Sequence, residues 1–168
     1  ELNEESARDI GRAVAKLSNA GKVVVGRDMR LSSLSLHQAL IDGLLQGGAI
    51  VDDLEEVPID AVYFAVGKFG YDAGVMVTAS HNPAEYNGFK IVGKAVAVVR
   101  GVEIKNLITD SVSGVLVGTS SERNIWPDYI AHLLSFVDQS SFRPLKVVVD
   151  AGNGMAGKVI PQLFVNLP

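Results

Sequence analysis

Short runs of β-branched residues alternate with amphipathic helical stretches, and that order constrains this chain more than any other feature. Ala7, Ile10, Val14 and Leu17 recur at helical spacing within residues 4–19, and Asn19-Ala20-Gly21 closes that helix. Lys22-Val23-Val24-Val25-Gly26 follows as a buried strand. A second helix over 34–47 turns Leu36, Leu40, Leu44 and Leu45 inward, and a strand is predicted over 49–54. Pro58 suits the first turn of a third helix running to about Lys68, before a third strand over 74–78. Three helix–strand pairs in succession predict an α/β fold with a largely parallel sheet. The Asn87-Gly88 return into a strand at 88–92 adds an antiparallel neighbour. The expected architecture is a three-layer α/β/α domain with a mixed, mostly parallel sheet.

Further on, Ala95–Val99 reads as a short strand, 102–109 as a short helix and the Ser/Gly/Thr-rich stretch 110–124 as a surface connection. Trp126-Pro127 opens a helix with Ile130, Leu133, Leu134 and Val137 on one face. Residues 138–144 form a linker; Lys146–Asp150 reads as a strand, and Met155–Phe164 as a helix. A strand and a helix cannot bury both their faces alone. The expected division is therefore a first domain over 1–139, with 140–168 as linker and opening βα unit of a second.

Composition narrows the function classes. With 48% hydrophobic residues, 20% charged residues and a net charge of −4, the chain can build a core. That charge disfavours nucleic acid or an anionic membrane as the main partner. Without cysteine there is no disulfide, thiolate metal site or cysteine nucleophile. No apolar run approaches the roughly 20 residues of a membrane-spanning helix. The acidic start Glu1–Glu5 is the reverse of a signal peptide, so a cytoplasmic location is expected. The chain begins without Met and ends abruptly at Pro168, and it is read as a piece of a larger protein.

The chemistry gathers where the third strand breaks into polar residues: Thr78-Ala79-Ser80-His81-Asn82-Pro83. Ligands collect at the C-terminal ends of parallel strands, and Ser80 sits at such an end. An isolated serine there is a turn residue bonding its own backbone; four polar side chains together argue for a site. Consecutive residues of an extended chain point to opposite sides, which would turn His81 away from Ser80. No acid is placed to complete a hydrolytic triad, and the segment is not a G-x-S-x-G elbow. Lys90, on the returning strand, is the better candidate for an acid/base or a fixed positive charge. Arg27, Asp28 and Arg30 follow the first strand at the same sheet edge; the arginines suit an anion, alternatively Arg27 and Asp28 pair with loop backbone and each other, and Asp28 suits that structural role. His37 and His132 have no partner at metal-ligand spacing. Gly152-Asn153-Gly154-Met155-Ala156-Gly157 has the dinucleotide-binding form G-x-G-x-x-G, and a tight turn explains the same glycines.

Thr78–Pro83 together with Tyr86-Asn87-Gly88-Phe89-Lys90 closely resembles the active-site segment of the α-D-phosphohexomutases, in particular the phosphomannomutase/phosphoglucomutase branch. Gly26–Ser32 is similar to that family's first-domain loop, and Val149–Gly154 resembles the start of its second domain. The resemblance implies an enzyme that moves phosphate between the 1- and 6-positions of a hexose through a phosphoserine and a bisphosphorylated sugar. Ser80 would carry the phosphoryl group, with His81 and Lys90 in the catalytic site and Arg27, Arg30 and Asn82 meeting substrate or phosphate. Mg²⁺ would touch Ser80 through its phosphate and draw its other ligands from a second-domain aspartate loop absent from these residues. Hexose phosphates and the remaining domains of the same polypeptide are the implied partners. This piece alone is expected to be inactive. Phosphoglucosamine mutase is the nearest alternative; a nucleotide- or phosphate-binding module around 150–157 is a different class.

Overall fold

The computed structural model describes residues 2–108, 117–165 and 167–168. They form two compact units, 1–123 and 124–168, so the helix opened by Trp126 groups with the residues behind it. In the first unit, α1 (Glu4–Leu17) starts at Asn3, whose side chain accepts the Ser6 amide while the Ser6 hydroxyl accepts the Asn3 amide. This reciprocal cap satisfies two otherwise orphaned donors.

β1 (Lys22–Arg27) is the middle strand. It lies parallel to β2 (Ile50–Glu56) on one side and to β3 (Ala73–Val77) on the other. β4 (Phe89–Gly93) returns antiparallel to β3, and β5 (Thr119–Glu122) lies parallel outside β2. The sheet order is β4-β3-β1-β2-β5, mixed and mostly parallel as expected.

Alternation divides the strand side chains between two layers. Val23, Val25, Val51, Val75 and Val77 join α1, α2 (Ser33–Gln46) and Ile104 of α4 (Gly101–Leu107) in one apolar cluster. On the opposite face Gly26 and Gly74 lie under Val62 and Val66 of α3 (Ile59–Phe69). α1 and α2 cross at Gly11 and Gly43, where a Cβ on Gly43 would stand 2.1 Å from the Arg8 carbonyl oxygen. Backbone contact replaces side-chain contact at that crossing.

Three expectations change. Lys94–Val96 is a 3₁₀ turn rather than part of a strand, because Ala95 and Val96 adopt positive φ of 57° and 62°; only a single Val92–Val98 bridge remains. The segment read as connection contains β5; residues 109–116 of it lie outside the described residues. Thr119–Glu122 lacks an apolar alternation because all four residues are exposed, and its strand is made by the ladder with β2. The Ser121 hydroxyl donates to Asp52, whose other oxygen accepts from Tyr71 at 2.5 Å. Arg123 donates to the Tyr71 hydroxyl and stacks 3.8 Å over the Phe69 ring.

In the second unit, α5 (Trp126–Leu134) has Pro127 in its first turn, and α6 (Ala156–Phe164) follows the glycine turn. The strand expected at 146–150 does not form: these residues have no regular structure, and Val148 is fully exposed. A lone apolar run has no ladder partner to make it a strand. No described helix is long and apolar enough to cross a membrane.

Candidate active site

Because β1 and β3 are parallel neighbours, the loops leaving them emerge at the same sheet edge. Their backbones are tied by the Asp28 amide on the Val77 carbonyl at 3.0 Å, and the Ser80 loop is closed by the Thr78 amide on the Gly88 carbonyl at 2.9 Å. Between the loops sits the buried carboxylate of Asp28. One oxygen accepts from the Ser33 hydroxyl at 2.5 Å and the Arg30 amide at 3.1 Å. The other accepts from the Thr78 hydroxyl at 2.7 Å and lies 3.3 Å from Arg30 Nε. A buried carboxylate is tolerable when ringed by donors in this way.

Thr78 passes the support onward, since its hydroxyl oxygen accepts the Ser80 amide at 2.9 Å. Ser80 itself holds φ at 58°. A side-chain-bearing residue in that region costs about 1–2 kcal/mol and persists only where its surroundings impose it. The imposing groups are Asp28–Thr78 below and Arg30 beside the loop. Arg30 Nη2 donates to the carbonyls of Ser80 at 2.9 Å and Asn82 at 2.7 Å; Nη1 donates to those of Pro83 at 2.7 Å and Tyr86 at 3.1 Å. Asn87 completes the frame, donating to both Ser32 and Ser33 hydroxyls and accepting the Gly88 amide.

The left-handed turn at Ser80 corrects the expectation about His81. In extended chain the two side chains would diverge, but here His81 Nδ1 lies 3.4 Å from Ser80 Oγ, and both residues are exposed at the loop tip. Lys90 occupies the exposed edge strand opposite Met76, and its side chain makes no hydrogen bond or ion pair among the described residues. Arg27 donates to Glu56 at 3.0 Å, across to the end of β2. The Asn82 side-chain amide folds back on the Ala79 carbonyl at 2.8 Å. The Arg30 guanidinium, read from the sequence as a phosphate contact, is committed to backbone carbonyls. Ser33 and Asn87, given no site role in the sequence reading, belong to its frame. Their signal was slight: a serine inside a helix start, and an asparagine explained by its turn.

The arrangement presents one hydroxyl, with an imidazole beside it, on a rigid base at the C-terminal edge of a parallel sheet. It defines an α/β domain that displays a serine hydroxyl at the loop tip. No three His, Asp or Glu side chains converge to hold a metal ion among the described residues. Asp28 is turned into its own donors. The described residues therefore do not form a Mg²⁺ site by themselves. In the second unit, Asp150 accepts the Gly152 amide at 2.8 Å, and Gly152 adopts φ 53°. The glycine pattern there makes a tight turn before α6.

Residues 1–113 match the family "Phosphoglucomutase/phosphomannomutase, alpha/beta/alpha domain I". A phosphomannomutase from Escherichia coli is 41% identical over 172 residues, covering 97% of this chain and 38% of the relative. Phosphohexose mutases from Xanthomonas campestris pv. campestris are 41% identical over 174 residues, covering 100% of this chain and 39% of theirs. Among solved structures, a phosphoglucomutase/phosphomannomutase family protein from Burkholderia thailandensis superposes with a TM-score of 0.85 at 37% identity, over 99% of this chain and 39% of that one. The chain belongs to the phosphoglucomutase/phosphomannomutase family, an enzyme family, and contains its first α/β/α domain. It spans less than two-fifths of the length of these relatives.

Proposed function

We propose that this chain is part of a phosphohexomutase that interconverts hexose 1- and 6-phosphates of mannose or glucose, with residues 1–139 as its first domain and 140–168 leading into its second. The observation that carries this reading is Ser80, held in a left-handed conformation at an exposed tip by Asp28, Thr78 and Arg30. Fixed geometry is what phosphoryl transfer asks of a protein. In the first half-reaction a sugar hydroxyl oxygen bonds the phosphorus as the phosphorus–Oγ bond of Ser80 breaks, the hydroxyl proton passing to a base and Oγ leaving protonated. In the second, Oγ gives up its proton and bonds the phosphorus at the sugar's other end as that sugar oxygen leaves protonated, which restores the phosphoserine.

His81 Nδ1 is near enough to Oγ to exchange a proton with it after a small adjustment. Lys90 is the second acid/base candidate; Arg27 and Asn82 would turn from Glu56 and the Ala79 carbonyl to meet substrate phosphate. Mg²⁺, on which the family generally depends, would neutralise phosphoryl charge when bound. It would meet this chain at the Ser80 phosphate, with its remaining ligands supplied from outside these residues. A cytoplasmic enzyme of hexose phosphate metabolism fits this reading.

Intact-mass analysis of the full-length protein, followed by peptide mapping, tests it together with turnover of mannose, glucose and glucosamine phosphates. One phosphoryl group on Ser80 and turnover lost in Ser80→Ala are expected. A Ser80→Ala protein that keeps wild-type turnover overturns the proposal.

A further inference from the structure

Arg30 makes more hydrogen bonds to the Ser80 loop than any other described side chain, and all four go to carbonyl oxygens. We propose that Arg30 is a positioning residue: by drawing these carbonyls onto one half-buried cation it turns the opposite ends of the same peptides outward, making the loop a receptor for the phosphoryl group on Ser80. The inference rests on the mutase reading above and deepens it.

Peptide geometry sets the direction of these groups. A trans peptide is planar, with its C=O and the next residue's N–H pointing opposite ways. The carbonyls of Ser80, Pro83 and Tyr86 point at Arg30, so the amides of His81, Ala84 and Asn87 point away from it. The fourth peptide ends in Pro83, which has no N–H. None of those three amides has an acceptor among the described residues. By contrast, the amides of Ser80, Asn82, Tyr86 and Gly88 are all bonded within the loop or its stem. Outward peptide dipoles with no internal partner favour an anion, and they need no reorganisation if already held in place.

Arg30 holds them because its own orientation is imposed. Asp28 lies 3.3 Å from Nε, which leaves both terminal nitrogens of the guanidinium for the loop. Guanidinium suits this role because a planar fork with five fixed donors spans several carbonyls, whereas an ammonium is a compact point charge with three donors. Lysine at this position keeps the charge and loses the geometry.

The test compares full-length wild type with Arg30→Lys, Arg30→Ala and Ser80→Ala by site-resolved amide hydrogen exchange and steady-state kinetics. Arg30→Lys is expected to retain the cooperative melt while the Asn82, Tyr86 and Gly88 amides lose protection selectively. Its kcat should fall about 10²-fold, as for a misplacement of about 1 Å, with little change in KM. Guanidinium ion added to Arg30→Ala should restore part of kcat and part of the protection. Unchanged protection at these amides in both Arg30 variants overturns the positioning role, whatever the enzyme turns over. Lost protection with wild-type kcat also overturns it, since the clasp would then be structural only. Absence of turnover in wild type removes the mutase reading, and amide exchange then decides the clasp by itself.

Discussion

At the scale of single residues, the Ser80 loop works as a chain of short dependencies. Asp28 holds Thr78, Thr78 holds the Ser80 amide, and that amide helps fix the left-handed turn that brings His81 to Oγ. Thr78→Val keeps the shape and removes both bonds, leaving a buried carboxylate short of a donor. It should destabilise the fold by about 1–3 kcal/mol in urea titrations and lower turnover more than the stability loss explains. Tyr71 offers a pH-dependent check elsewhere in the domain. Burial, reinforced by the hydrogen bond to Asp52, pushes its phenol up from 10.0 to about 12. The folded state thus favours the neutral phenol: this stabilisation is complete below pH 10.0 and is lost as pH rises through about 12. Tyr71→Phe should flatten the alkaline fall in stability across that window, and the late phase of tyrosine ionisation in an ultraviolet titration should shrink in this variant. Ser80 and Lys90 stood out as candidates because their neighbours form a recognisable run. The His81 contact was not, because it depends on one backbone angle that no spacing rule supplies.

At the scale of elements, the strand–helix alternation was legible wherever apolar periodicity marked an inward face, as in α1, α2, α3 and β1 to β4. β5 escaped because an exposed edge strand needs only a backbone ladder; its four residues carry no apolar signature. The run at 146–150 misled for the opposite reason, since apolar β-branched residues without a neighbouring strand have nothing to pair with. The crossing of α1 and α2 gives a sharp prediction. Gly43→Ala places a methyl group against the Arg8 backbone, where no side chain can move aside. The helices must separate, at a cost of about 1–3 kcal/mol, seen as a lower urea midpoint with an unchanged slope. A glycine over open space, such as Gly101, should accept alanine with little loss.

At the scale of the whole molecule, one unit carries the displayed serine and the other a glycine turn, while the relatives are more than twice as long. The described residues offer a metal ion no converging carboxylates. The 168-residue chain produced alone should therefore bind Mg²⁺ only weakly by calorimetry and show no sugar-phosphate turnover. A substantial rate from it would sink the division of labour proposed here. The shape of the Ser80 loop carries a last consequence. Both its stems are strands of the sheet, β3 and β4, paired rung by rung from Val77–Phe89 to Ala73–Gly93. A serine mounted on such a pillar is not an arm that swings between two destinations. On the mutase reading proposed above, a phosphate held there reaches both ends of a sugar only if the sugar turns.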